Sequence, residues 1–419
     1  MSDATTFELS ARLRRIKTSP SLIARDRAKR LQVEGRDILD LTAGEPDFDT
    51  PSHIVDAVTT ALQAGDTRYS PVNGTPALRA AIIAKLAREN GVHYGMGQIA
   101  VGVGAKQVIY NALAATIGEG DEVIVPAPFW VSYPDMVLLF DATPIVVPCG
   151  EETGFKLSAE ALEQAITPRT RWLILNSPCN PTGAVYTQAE IRALADVLLR
   201  HPRVALMTDD IYEHIRFDGV SPPCPTALEP RLYDRTLLVN GVSKTYAMTG
   251  FRLGYGAGPT PLIAAMNTIQ SQSSSCVSSL SQAAAVAALE GDQGFVAEAR
   301  DAYRARRDRA VALLNAIPGL RCRAPDGAFY VYPSCAGLIG RVTPEGRTLA
   351  TDLDVSMYFL EAAGVAVLDG GAYGLSPYLR LSIAVPIEIV EAACARLAEA
   401  CAALRPGADA RAHPATLTA

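Results

Sequence analysis

RWLILNS (residues 171–177), VALMTD (204–209) and TLLVN (236–240) are the stretches on which the fold turns. Each is short and apolar without alternation, and each ends in a polar residue. A strand with one wet face alternates, whereas one buried on both faces reads as a continuous apolar run. Helix-length segments lie between the three runs, which is the connection that parallel neighbours require.

Working outward, residues 122–126, 144–148 and 253–256 repeat the pattern, and helical periodicity covers 75–90, 106–117, 188–199 and 280–289. The first helix opens on Thr75-Pro76, a capping residue followed by proline at the first helical position. These signals predict an α/β layered domain from about 52 to 258. Residues 294–314 follow, carrying Arg300, Arg304, Arg306, Arg307 and Arg309, and such a charge run predicts a solvated helix joining two domains. Beyond Pro318-Gly319, strand-like pieces at 328–332, 365–368 and 378–383 and a closing helix at 386–404 predict a smaller α+β domain. The division expected is an N-terminal arm with part of the small domain (1–48), a large domain (49–300), the small domain (301–404) and a frayed tail (405–419).

The chain has 419 residues, 49% hydrophobic and 20% charged, enough to bury a full core in more than one domain. Its net charge of −6 argues against nucleic acid as a partner. No apolar run approaches the roughly 18 residues of a membrane helix, and the N-terminus lacks a signal-peptide pattern, so a cytoplasmic location is expected. Eight cysteines without a C-x-x-C pair and five dispersed histidines predict free thiols and no metal site.

The polar residues that close the three runs are Asn176 to Asn180, Asp209-Asp210 and Ser243-Lys244. In open α/β sheets ligands sit outside the carboxyl ends of the strands, so together they predict one cleft. Gly102-Val103-Gly104-Ala105-Lys106 leads into a helix whose first N–H groups suit an anion such as phosphate. A dinucleotide fingerprint is disfavoured because Gln107 stands at its third glycine, and neither a P-loop nor a nucleophile elbow is present.

The run 241–254 (GVSKTYAMTGFRLG) resembles the lysine signature of class I pyridoxal 5'-phosphate (PLP) aminotransferases. The resemblance extends over about 10–402, through 41–51 (LTAGEPDFDTP), 69–78, 176–183 (NSPCNPTG), 208–214, 327–333 and 378–382. It is closest to bacterial aspartate aminotransferases of the Iβ subgroup. It implies a fold-type I PLP transferase with a mostly parallel seven-stranded sheet and a smaller α+β domain. It also implies a homodimer that moves an amino group from an amino acid, aspartate- or glutamate-like, to a 2-oxo acid by ping-pong half-reactions.

Residue by residue, the resemblance implies that Lys244 binds the cofactor aldehyde and moves the α-proton, and that Asp209 faces the pyridine nitrogen. Asn180 and Tyr212 would bond the phenolic oxygen, and Trp130 would stack on the ring. Ser243 and Arg252, with the backbone of Gly104, Ala105 and Lys106, would hold the phosphate, which Tyr69 would reach from the neighbouring subunit. Arg380 would grip the substrate α-carboxylate with help from Gly44, and Lys106 would read a distal carboxylate. Asn180-Pro181 would be cis. The chain departs from the family at Cys276-Val277, at Asp369 and at Ile383-Ala384-Val385, all bearing on substrate choice. Asp369 either lines the pocket, favouring a basic amino donor, or caps a turn. Rival readings are a PLP enzyme of the same fold catalysing elimination, oxidation or cyclisation, and a PLP-sensing regulatory domain.

Overall fold

The continuous apolar runs become the middle of one sheet. The computed structural model describes residues 9–16, 20–219 and 222–407. In chain order the first strands are β1 (Leu39–Asp40), β2 (Ile99–Gly102), β3 (Glu122–Ala127), β4 (Thr143–Pro148), β5 (Thr170–Asn176), β6 (Ala205–Asp209), β7 (Thr236–Gly241) and β8 (Gly254–Ala257). Seven of them pair in the order β2-β8-β7-β6-β5-β3-β4. All contacts from β4 to β7 are parallel, and β8 is antiparallel to both its neighbours, so β2 runs the same way as β7. The carboxyl ends of β2, β5, β6 and β7 therefore share one edge. β4 is the half-exposed rim strand, and its Pro144 and Pro148 are tolerated there because a rim strand needs fewer ladder donors.

Local chemistry sets the helices. Thr75 accepts from the Leu78 amide at 3.3 Å ahead of Pro76, as its sequence predicts. Thr187 and Glu190 close a reciprocal capping box at the start of the helix Gln188–Arg200. Strand β2 is an addition to the sequence reading, which sees only the glycine turn behind it; four residues give too short a pattern.

A second group of strands, β9 (Tyr330–Val331), β10 (Val365–Ala366), β11 (Leu368–Asp369) and β12 (Leu379–Ser382), lies C-terminal to the large sheet. β11, β12 and β9 pair antiparallel, while β1 pairs parallel with β10. The closing helix Ile387–Ala403 packs on the helix Gly294–Asn315.

That long helix corrects the reading of 294–314 as a solvated charge run. Ala299, Tyr303, Arg307, Ala310 and Leu314 form a buried stripe at helical spacing. Arg307 lies over the Phe217 ring at 4.8 Å and donates to Asp218 at 2.7 Å, and Arg306 donates to Asp47 at 2.7 Å. Arg300, Arg304 and Arg309 do face solvent. At the other end, Arg405 is bridged to Val342, and the rest of the tail, 408–419, lies outside the described residues. All eight cysteines are free thiols, and among the described residues no helix is long and apolar enough to cross a membrane.

Candidate active site

A cavity of about 380 Å³ opens at the shared strand edge. Its wall brings together Gly44, Gly104, Ala105, Lys106, Trp130, Asn180, Asp209, Tyr212, Ser243, Lys244, Arg252 and Arg380, twelve of the thirteen residues nominated from sequence. Tyr69, the thirteenth, is 93% exposed and lies outside it.

Strand alternation separates the two adjacent aspartates. Asp209 ends β6 opposite Asn176 of β5, and its carboxylate turns into the cavity to accept from the Tyr133 hydroxyl at 2.6 Å. Asp210 instead accepts from Thr208 at 3.1 Å and faces Glu213. Burial raises the Asp209 carboxyl to about 6, outweighing the Tyr133 and Ile211 hydrogen bonds and the Lys244 charge that favour its ionised form.

Lys244 stands in the turn after β7, where its ammonium donates to the Gly44 carbonyl. Burial lowers its pKa to about 8 even though Glu45 pulls the other way. Asp209 pulls the same way as Glu45, whereas the Arg252 and Arg380 charges lower it further. Arg252 follows in a left-handed conformation, φ 52°, and donates to the Thr249 carbonyl at 2.9 Å. Two glycines allow the close packing around it. A Cβ on Gly104 would come within 2.7 Å of the Arg252 guanidinium, and one on Gly254 within 2.1 Å of the Ala105 nitrogen. The opening of the helix Ala105–Thr116, Arg252 and Ser243 can therefore converge as a donor-lined anion cradle.

Arg380, on β12, is only 3% exposed. It donates to the Thr42 carbonyl at 2.6 Å and to Asn180 at 3.1 Å and lies over the Tyr330 ring at 4.4 Å. Its Nε has no partner, and among the described residues no carboxylate pairs with it. Tyr212 shares a 2.9 Å hydrogen bond with Tyr330, and burial raises both phenols above their ordinary range. Asn180-Pro181 is cis.

The Lys106 ammonium lies 4.7 Å from the Trp130 ring centroid, its pKa lowered by burial and by the Arg252 charge. Asp369 caps the short turn after β11, accepting from the Ala372 amide at 3.0 Å, and is not part of the cavity wall. Of its two sequence readings the turn cap is the one observed. Residues unassigned in sequence also line the site: Thr42, Tyr133 and Tyr330. Thr42 and Tyr330 lie inside the stretches 41–51 and 327–333, which is the only signal the sequence carries for them, and Tyr133 has none beyond its nearness to Trp130.

A recessed lysine, a carboxylate at a sheet edge, an anion cradle and a buried arginine thus share one cavity. The chain belongs to the aminotransferase class I and II family, which matches residues 36–397. It is 53% identical over 396 residues to the aspartate/prephenate aminotransferase of Cereibacter sphaeroides, covering 94% of this chain and 99% of that one. It is 50% identical to the crystal structure of the Rhizobium meliloti aspartate aminotransferase, with a TM-score of 0.93 over 95% of this chain and all of that one. The Thermus thermophilus aspartate aminotransferase with maleate superposes with a TM-score of 0.88 at 39% identity over 94% of this chain and 100% of that one. The enzyme is a PLP-dependent aminotransferase, and the relatives and structures it resembles lend no support to elimination, oxidation or cyclisation.

Proposed function

We propose that the enzyme exchanges amino groups between acidic amino acids, aspartate or glutamate, and 2-oxo acids such as oxaloacetate or 2-oxoglutarate, in two ping-pong half-reactions at this cavity. The observation that carries the reading is Arg380, a buried guanidinium with no carboxylate partner among the described residues. A buried charge is costly unless paired, and a planar fork facing a cavity suits the α-carboxylate of an amino acid.

PLP fits the residues present. The cradle of Ser243, Arg252 and the Gly104, Ala105 and Lys106 backbone supplies phosphate donors in a space that Cβ atoms at Gly104 and Gly254 would fill. Asp209 would hold the pyridine nitrogen, Tyr212 and Asn180 the phenolic oxygen, Trp130 the ring face and Lys244 the aldehyde. Bound there, the cofactor supplies an electron sink that lets the substrate α-proton depart. Lys244, with a pKa near 8, can take and return that proton at neutral pH, because its two forms lie close in energy. Arg380 and the Gly44 backbone orient the α-carbon toward it. Borohydride reduction and peptide mapping should place the pyridoxyl group on Lys244.

Lys106 is the cation for a distal carboxylate, since it shares the cavity with Arg380 while Asp369 stays outside it. Relatives named for aspartate and for prephenate support the acidic reading. The reading includes a two-domain chain divided near 48 and 300, a homodimer in which Tyr69 reaches the partner's cofactor phosphate, and a cytoplasmic location. The exposure of Tyr69 supports the dimer. The test is kcat/KM for aspartate, glutamate, ornithine, arginine and phenylalanine, with prephenate among the acceptors, in wild type and Lys106→Ala. Acidic donors should lead in wild type and lose about tenfold to a hundredfold in the variant, with phenylalanine little changed. A wild-type preference for ornithine or arginine would overturn the assignment.

A further inference from the structure

Tyr69 is 93% exposed, yet the loop that bears it is tied down from beneath. Gln282, in the helix Ser279–Glu290, is 1% exposed and uses both ends of its amide on that loop. Its Oε1 accepts from the Thr75 amide at 2.7 Å, and its Nε2 donates to the Ser70 hydroxyl at 2.7 Å and the Val277 carbonyl at 2.9 Å. Ser70 in turn donates to the Val277 carbonyl at 3.3 Å, so residue 70 is locked to residue 277 by side chain and by amide.

The neighbours repeat the theme. Gln270, 2% exposed, donates to the Val72 and Val101 carbonyls at 2.8 Å each and accepts from Asn111 at 3.1 Å. Ser279 donates to the Asp66 carbonyl at 2.6 Å. Gly74, with φ 90°, packs so closely on Val101 that a Cβ would sit 2.6 Å from Val101 Cγ2. Backbone groups of a surface loop are ordinarily satisfied by water; here the Asp66 and Val72 carbonyls and the Thr75 amide are satisfied by buried side chains instead. Fully satisfied buried amides rigidify what they hold, and leaving one partner unmade costs the desolvation of the other.

We propose that Gln282 is a positioning residue for Tyr69: it fixes the neighbouring Ser70 so that the exposed phenol is delivered, already ordered, to the cofactor phosphate of a second copy of this chain. The proposal rests on the reading that Tyr69 reaches across a homodimer. Its physical content is preorganisation, in which a loop ordered before association does not have to be ordered at the phosphate.

The experiment measures the affinity of the apoenzyme for PLP and for phosphate-free pyridoxal, by absorbance titration, in wild type, Tyr69→Phe, Gln282→Leu and the double variant. Sedimentation checks that each remains dimeric. Tyr69→Phe should weaken PLP binding about tenfold and leave pyridoxal binding unchanged, because the phenol meets only the phosphate. Gln282→Leu should reproduce about threefold to tenfold of that loss, again for PLP alone, and should add nothing in the Tyr69→Phe background. Ser70→Ala, which removes the held hydroxyl with little change in volume, should follow Gln282→Leu and serves in its place if that variant does not fold. An equal loss for pyridoxal, or a Gln282→Leu loss that persists in full without the Tyr69 hydroxyl, would mean that Gln282 supports the fold generally and would overturn the proposal. A Tyr69→Phe loss with no Gln282→Leu or Ser70→Ala effect overturns it while leaving the cross-subunit role of Tyr69 intact. Unchanged PLP affinity in Tyr69→Phe removes both.

Discussion

Two lysines withdrawn from water stand near the same strand end and are treated oppositely. Lys85, 1% exposed, donates to Asn90 at 2.8 Å and to the Glu213 carboxylate, with Glu89 at 3.6 Å. Glu213 also accepts from Asn90 at 2.9 Å and from Asn240, in β7, at 2.7 Å. Lys244, four residues further along, donates to a backbone carbonyl, with Glu45 and Asp209 acting on it by charge. Burial alone would push the Glu213 carboxyl up, but the Lys85 and His214 charges and its hydrogen bonds hold it down at about 2. At Lys244 burial outweighs the Glu45 and Asp209 charges that oppose it, and its pKa falls to about 8. Desolvation is common to both; the partner decides whether a lysine becomes a structural cation or a reactive amine.

Lys244→Ala should lower transamination by about four orders of magnitude or more while the apoenzyme stays folded, because the residue makes few contacts the fold depends on. Turnover within tenfold of wild type would show that another group moves the proton. Lys85→Met should do the reverse. Removing the cation strands Glu213 in the interior, and breaking a buried pair from one side costs about 3–5 kcal/mol, read as a lower urea midpoint. Adding Glu213→Gln should recover part of that loss. A Lys85→Met protein as stable as wild type would mean that water reaches Glu213.

The contrast also marks what sequence can carry. Lys244 was legible because its neighbours, from Ser243 through Arg252, are constrained within one short run, and the strand-end Asn180 and Asp209 came with it. Lys85 was not, because its partner is 128 residues away and nothing in the helical pattern of 75–90 marks which polar residue turns inward. Arg307 failed for the same reason: composition gives five arginines but not which one meets Phe217. Asp369 could be posed only as a choice, since lining a pocket and capping a turn call for the same residue, and the Ala372 amide decides between them. The hold of Gln282 on the Tyr69 loop joins positions 207 and 212 residues apart and left no local trace. Local rules recover elements and motifs; pairings across the fold appear only once the chain is closed.

The finest division between the two lysines is in pH. For Lys244 the folded pKa, about 8, lies below the unfolded value near 10.4, so the unfolded chain binds the extra proton between them. Stability therefore rises with pH across that window, and below about 8 the recessed ammonium destabilises the apoenzyme by a constant amount. Lys244→Met keeps the bulk and removes the charge. It should be more stable than the wild-type apoenzyme at pH 7, by roughly 2–4 kcal/mol at most, with the gap narrowing as pH climbs from 8 toward 10. The Lys85 cluster responds at the other end of the scale. With the Glu213 carboxyl held at about 2, its contribution is intact above the ordinary carboxylate range and fades as pH falls through 4 toward 2. Thermal melts of apo wild type and Lys244→Met from pH 5 to 10 check the sign. A gap that widens with pH would mean that Lys244 is held as an ion pair, and the distinction between the two lysines would be lost.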